Sequence, residues 1–171
     1  MTDFSLLRPV RLEHRVSNSR FIATLRPAES VEQARTAIAN VREEMPDATH
    51  HVYAFAIGHG NSVTEGMSDD GEPSGTSGPP ALAVLRGSGL GDAVLVITRY
   101  FGGTKLGTGG LVSAYSQAAR LAIDAAPMGE QVDRTAMTLR VPYTFHGAVR
   151  RLAEDFDAVV EEERFGADVA L

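Results

Sequence analysis

The chain has 171 residues, 43% of them apolar and 22% charged, with a formal net charge of −6 and no cysteine. That length and balance fit one or two globular domains able to bury a core without covalent staples. Disulfides and thiolate metal sites are excluded, and the negative balance disfavours nonspecific nucleic-acid binding except through a local basic patch.

No apolar run approaches the ~18 residues needed to span a bilayer. Met1, Thr2, Asp3 and Phe4 lead to Arg8, Arg11 and Arg15 without an apolar signal core. The expectation is a cytoplasmic protein with no membrane partner, and the lack of cysteine agrees with a reducing compartment. Of the 16 basic residues only Lys105 is a lysine, a bias to which no function is attached.

Residues 8–15 alternate loosely as a first strand, and Phe21 to Leu25 reads as a second. Ser30, with Gln33 three positions on, starts a helix. Its apolar positions are Val31, Ala34, Ile38, Val41 and Met45, and Pro46 ends it. Val52 to Ile57 is strand-like. Residues 58–91 turn to Gly, Ser, Pro and Asp, interrupted by Ala81 to Leu85, which reads as a short helix after Pro79-Pro80. Ala93 to Thr98 is a buried central strand. A helix follows from about Leu111 to Ala125, with its free N–H groups near Thr108. Pro127 and Gly129 mark a boundary.

Beyond it, Met137, Leu139, Val141 and Tyr143 alternate as a strand. Thr144 is placed to cap a helix bearing Val149, Leu152, Ala153 and Phe156. Ala158 to Glu162 and Phe165 to Leu171 read as two more strands. The resulting β-α-β-β order lacks the last helix and strand of a ferredoxin-like unit, so further residues after Leu171 are expected. The expected domains are 1–128 and 129–171, in an α+β protein of two parts.

Two loops hold the candidate chemistry. The first runs from Ser68 to Gly78 and includes Asp69, Asp70, Glu72, Ser74, Thr76 and Ser77. Clustered carboxylates suit a Mg²⁺ site or an acid–base pair, hydroxyls and glycine amides suit an anion, and Asp-Gly and Pro-Ser-Gly are also ordinary turn chemistry. The second runs from Arg99 to Gly110 between a buried strand and a helix, with Gly102, Gly103, Lys105, Gly107, Thr108 and Gly109. It suits a phosphate at a helix N-terminus, with charge from Arg99 and Lys105, or a tight junction needing glycine. It is neither a Walker A loop nor a dinucleotide fingerprint. His50, His51 and His59 show no metal-binding helix spacing, no Gly-x-Ser-x-Gly elbow occurs, and no cofactor is expected.

These motifs, in this order, resemble the YigZ/IMPACT family: Ser19 to Ile22, Asp47 to His51, Ser68 to Pro73 with Gly75-Thr76, and Arg99 to Gly103 with Leu106 to Leu111. The likeness spans roughly residues 15–125, and the tail resembles the ferredoxin-like C-terminal domain of bacterial members. It implies an N-terminal β-α-β fold like that of a small-subunit ribosomal protein, elongation factor G domain IV and GHMP kinases. The resemblance further implies that eukaryotic relatives act in translational control and carry an extra N-terminal domain that binds partner proteins; that domain is not expected here, so their partner-binding role is not expected to carry over.

Two functions follow. One is a binding module for RNA, the ribosome or another polyanion, with Arg20, Arg86, Arg99 and Lys105 around the glycine-rich loops and a translation-related role. The other is an enzyme acting on a phosphorylated small molecule, because Leu106 to Leu111 resembles the phosphate loop of GHMP kinases. The candidate ligand residues are Ser68, Asp69, Asp70, Glu72, Thr76, Arg99, Gly102, Gly103, Lys105, Gly107, Thr108, Gly109 and Gly110, and they are expected to share one cleft.

Overall fold

In the computed structural model, residues 4–130 and 135–171 are described. The chain divides into two compact units, Met1–Gln131 and Val132–Leu171.

The first unit is built on a five-stranded antiparallel sheet. Its strands are β2 (Val10–Val16), β3 (Ser19–Pro27), β4 (His50–Ile57), β5 (Thr64–Ser68) and β7 (Ala93–Tyr100), in the order β2-β3-β7-β4-β5. The β2–β3 hairpin turns on Ser17 and Asn18, both at positive φ (44° and 69°), the conformation of a two-residue turn matched to strand twist. β7 lies in the middle, as its unbroken apolar run predicts for a strand covered on both faces.

Alternation along β7 divides the core. Ala93, Leu95 and Ile97 join Phe21, Leu25 and Val52 beneath α2 (Gly78–Gly87) and α3 (Gly107–Asp124). Val94 and Val96 pack on the other face with Phe55 and with Ala34, Ile38 and Val41 of α1 (Val31–Glu44). Ser30 caps α1 by accepting from the Gln33 N–H at 3.2 Å, and Gln33 Oε1 accepts from the Glu29 N–H at 2.8 Å. Three short strands escape the sequence periodicity: β1 (Phe4–Leu6), β6 (Leu90–Gly91) and β8 (Met128–Glu130) form a second sheet in the order β6-β1-β8. β5 was likewise hidden in the polar stretch after Ile57. α3 starts at Gly107 rather than Leu111, because Gly109 and Gly110 are already helical.

The second unit contains β9 (Arg140–Val141), α4 (Tyr143–Asp155), β10 (Arg164–Phe165) and β11 (Val169–Ala170), with sheet order β10-β11-β9. That is the order of the first three strands of a ferredoxin-like unit. Three local readings are corrected. The alternation through Tyr143 misleads, since Pro142 stands at the N-cap position and Tyr143, not a residue after Thr144, opens the helix. Ala158 to Glu162 is not a strand. Phe165 to Leu171 is not continuous, because a turn, with the Gly166 N–H donating to the Asp168 carbonyl at 3.0 Å, splits it from β11. Val169 is fully buried, whereas α4 has no buried residue.

Candidate functional site

The first loop closes on itself and on its neighbours. Asp69 accepts from the N–H groups of Gly75 (2.8 Å), Ser77 (3.0 Å) and Gly78 (2.8 Å) and from the Ser77 hydroxyl (2.7 Å). It therefore caps α2 from nine residues away, a task Ser77 does not perform with its own side chain. Burial opposes ionisation of Asp69, but the hydrogen bonds from Gly75, Ser77 and Gly78 outweigh it and hold the carboxyl below its ordinary range. Asp70, at φ +45°, accepts from Arg42 at 2.5 Å and from the His51 N–H at 2.6 Å. Ser68 Oγ accepts from the Asp70 N–H, and Thr76 donates its hydroxyl to the Pro73 carbonyl.

Glu72 points into the protein. Its side chain is 3% exposed and pairs with Arg99 at 2.6 Å, whose side chain is 5% exposed. The same carboxylate oxygen accepts from the Tyr115 hydroxyl of α3 at 2.7 Å. Burial, then the bond to Glu72, pushes the Tyr115 hydroxyl far up from its ordinary value. The other terminal nitrogen of Arg99 donates to Ser19 Oγ at 3.3 Å, which also accepts from the Gly102 N–H at 3.2 Å. The guanidinium lies 5.4 Å from the ring centroids of both Phe21 and Phe101, with its Nε buried and without a hydrogen-bond partner among the described residues. His50 brings Nε2 to 3.9 Å from Glu72 while Nδ1 sits 2.8 Å from the Asp70 carbonyl. Residues of four separate motifs thus meet at one buried ion pair.

The second loop faces outward. Gly103, Thr104, Lys105, Gly107, Thr108 and Gly109 are exposed, and no side chain among the described residues caps the N-terminus of α3. Lys105 has no ion-pair partner among the described residues. Gly107 has φ +68°, and nothing lies within 4 Å of a Cβ built on Gly107 or Gly109. Gly102 serves differently: a Cβ there would sit 2.1 Å from the Asn18 carbonyl carbon, so the hairpin turn and this loop touch backbone to backbone.

Of the cations expected around the loops, Arg99 is internal, Arg86 is paired with Glu65 and Arg20 with Glu13. The roles of Ser19, His50 and Tyr115 were not apparent from sequence. A tyrosine on an otherwise apolar helix face was the available signal, because a buried hydroxyl demands a partner. Among the described residues no three His, Asp or Glu side chains converge in a metal-holding group, and no helix is long and apolar enough to cross a membrane.

Residues 17–123 match the Impact N-terminal domain. The chain is 39% identical over 163 residues to an IMPACT family member of Haemophilus influenzae, covering 95% of this chain and 79% of that protein. It is 38% identical over 164 residues to the IMPACT family member YigZ of Escherichia coli, covering 95% and 80%. The crystal structure of a hypothetical protein superposes with a TM-score of 0.75 at 37% identity, covering 99% of this chain and 83% of that one. The motifs that meet at Arg99 and Glu72 lie within the matched region, and the chain belongs to the IMPACT family.

Proposed function

We propose that this chain binds a phosphate-bearing partner, RNA or the ribosome, through the second loop and the start of α3, in a translation-related regulatory role. The observation that carries this reading is the asymmetry between the loops. The carboxylates of Asp69, Asp70 and Glu72, which would repel an anion, are each held by internal donors. Meanwhile the uncapped N-terminus of an 18-residue helix is presented with exposed glycines, Thr108 and Lys105. Free N–H groups and the helix dipole favour an anion there. Gly107, Gly109 and Gly110 contact the ligand through backbone, Thr108 adds a hydroxyl, Gly103 keeps the outer side of the loop open, and Gly102 and Arg99 shape the loop from behind. Ser68 and Thr76 belong to the supporting turn. The alternative, an enzyme on a phosphorylated small molecule, gains no specific support, because its acid–base candidates are committed to structural partners.

Titration of the folded protein with inorganic phosphate, nucleotide and RNA at low and moderate salt tests the proposal. Binding should weaken with salt, and Lys105→Ala or Gly109→Leu should weaken it further. No binding of any of the three overturns it.

A further inference from the structure

A second cationic surface lies on the sheet face that carries α1. Alternation along β2 and β3 puts Arg11, Glu13, Arg15, Arg20 and Arg26 on that face, in register with Ile22 and Thr24. Glu44, at the end of α1, accepts from both Arg11 and Arg26. Glu13 accepts from both Arg15 (2.6 Å) and Arg20 (2.8 Å). Each carboxylate therefore serves two guanidinium groups, and four arginines against two glutamates leave an excess of two positive charges. Asp47, which accepts from the Tyr100 hydroxyl at 3.0 Å, reduces that excess to one without reversing it. In a chain of net charge −6 this is a local inversion of sign.

The arrangement is both open and ordered. The side chains of Arg11, Arg15 and Arg20 are 42%, 70% and 42% exposed. A guanidinium has five N–H donors, and the carboxylates occupy only part of them. The ion pairs hold Glu13 and Glu44 below the ordinary carboxylate range through bonds first from Arg20 and from Arg11, so both stay charged and hold the forks in place. The Arg20 guanidinium lies 5.2 Å from the centroid of the Tyr100 ring. Arg15 and Arg20 are direct cross-strand partners, whereas Arg11 is four residues along β2, about 13 Å at strand rise.

We propose that this band is a track for the phosphodiester backbone of single-stranded RNA. Paired arginine forks suit phosphate oxygens, a flexible single strand follows a twisted sheet, and the Arg20 guanidinium, backed by the Tyr100 ring, offers a plane on which a base can stack. The proposal rests on the reading that the partner carries phosphates, but it puts the binding on a different surface from the start of α3. Charged edge strands also deter edge-to-edge pairing, and that role requires no ligand.

Fluorescence anisotropy with a labelled oligo(U) of roughly 20 nucleotides separates these. Arg15→Gln with Arg20→Gln should weaken binding about tenfold and flatten the salt dependence by about 1.4, at about 0.7 for each phosphate no longer neutralised. Glu13→Gln with Glu44→Gln should tighten binding, a gain that a merely destabilised fold does not produce. Unchanged affinity in both double variants overturns the track, as does equal binding of polyglutamate, which would mark an acidic protein as the partner. RNA binding abolished by Lys105→Ala yet indifferent to the arginines overturns the track and leaves the α3 site standing. RNA binding abolished by the arginine changes yet indifferent to Lys105 and Gly109 does the reverse. If oligo(U) does not bind at all, the track fails, and the phosphate titration alone decides the α3 site.

Discussion

The two glycine-rich loops of the first unit look alike in composition and behave as opposites. In residues 68–78 the polar groups turn inward: Asp69 caps α2, Asp70 ties β4 to α1, and Glu72 meets Arg99 and Tyr115. In residues 102–110 the backbone turns outward, with Lys105 and Thr108 exposed and the helix end uncapped. What separates a scaffold loop from a candidate binding loop is therefore where its hydrogen bonds go, and polar content alone does not report that.

The comparison breaks most visibly at the buried ion pair. Arg99→Ala removes the guanidinium from the buried Glu72 carboxyl and leaves Tyr115 as its closest donor, and should cost about 3–5 kcal/mol in urea unfolding. Replacing both partners with apolar residues should cost less than the two single changes added together. If Arg99→Ala is instead neutral in stability and selectively abolishes phosphate binding, the scaffold assignment of the first loop is wrong.

Asp69→Ala should cost about 1–2 kcal/mol, the loss of a helix cap. The pH dependence has a definite sign. The folded Asp69 pKa is depressed, so its contribution is complete above the ordinary carboxylate range and is lost as pH falls through the folded value. The stability gap between wild type and Asp69→Asn should therefore be widest near neutrality and shrink below about pH 4. A gap that widens on acidification contradicts the capping geometry.

Glycines of the outward loop give the smallest effects and the sharpest contrast. Gly107→Ala meets no atom but adopts φ +68°, and should cost roughly 1 kcal/mol. Gly109→Ala meets neither obstacle and should leave thermal stability unchanged or raised by up to about 1 kcal/mol. A substantial loss of stability in Gly109→Ala would return that glycine to architecture.

Much of the first unit was legible in sequence because its signals are local. Ser30 with Gln33, the 3.6-residue spacing to Met45 and the apolar run through Ala93 to Thr98 each declare one element. β1, β6 and β8 were not legible, since two- and three-residue strands have too little sequence to carry a period and exist only through pairing. The second unit misled for a related reason. The alternation from Met137 to Tyr143 satisfies a strand template, while Pro142 sets φ −56° and starts α4 inside it. At the candidate site, Lys105 and the glycines could be chosen by type, but the burial of Arg99 could not. Its partners Glu72 and Ser19 are 27 and 80 residues away, and Tyr115 reaches Glu72 across 43. Charge pairing over such separations leaves no local pattern.

The small sheet β6-β1-β8 has a consequence for the order in which the unit is completed. Phe4 aligns with Leu90 on one side and Glu130 on the other, so the first described strand lies between two later segments, one of them the last strand of its unit. A nascent chain leaves the exit tunnel N-terminus first. Phe4 to Leu6 therefore emerges with no partner on either edge, and its second edge stays open until residue 130 is free. The five-stranded sheet and its helices have all their residues earlier, by Asp124, which makes this short strand the final clasp.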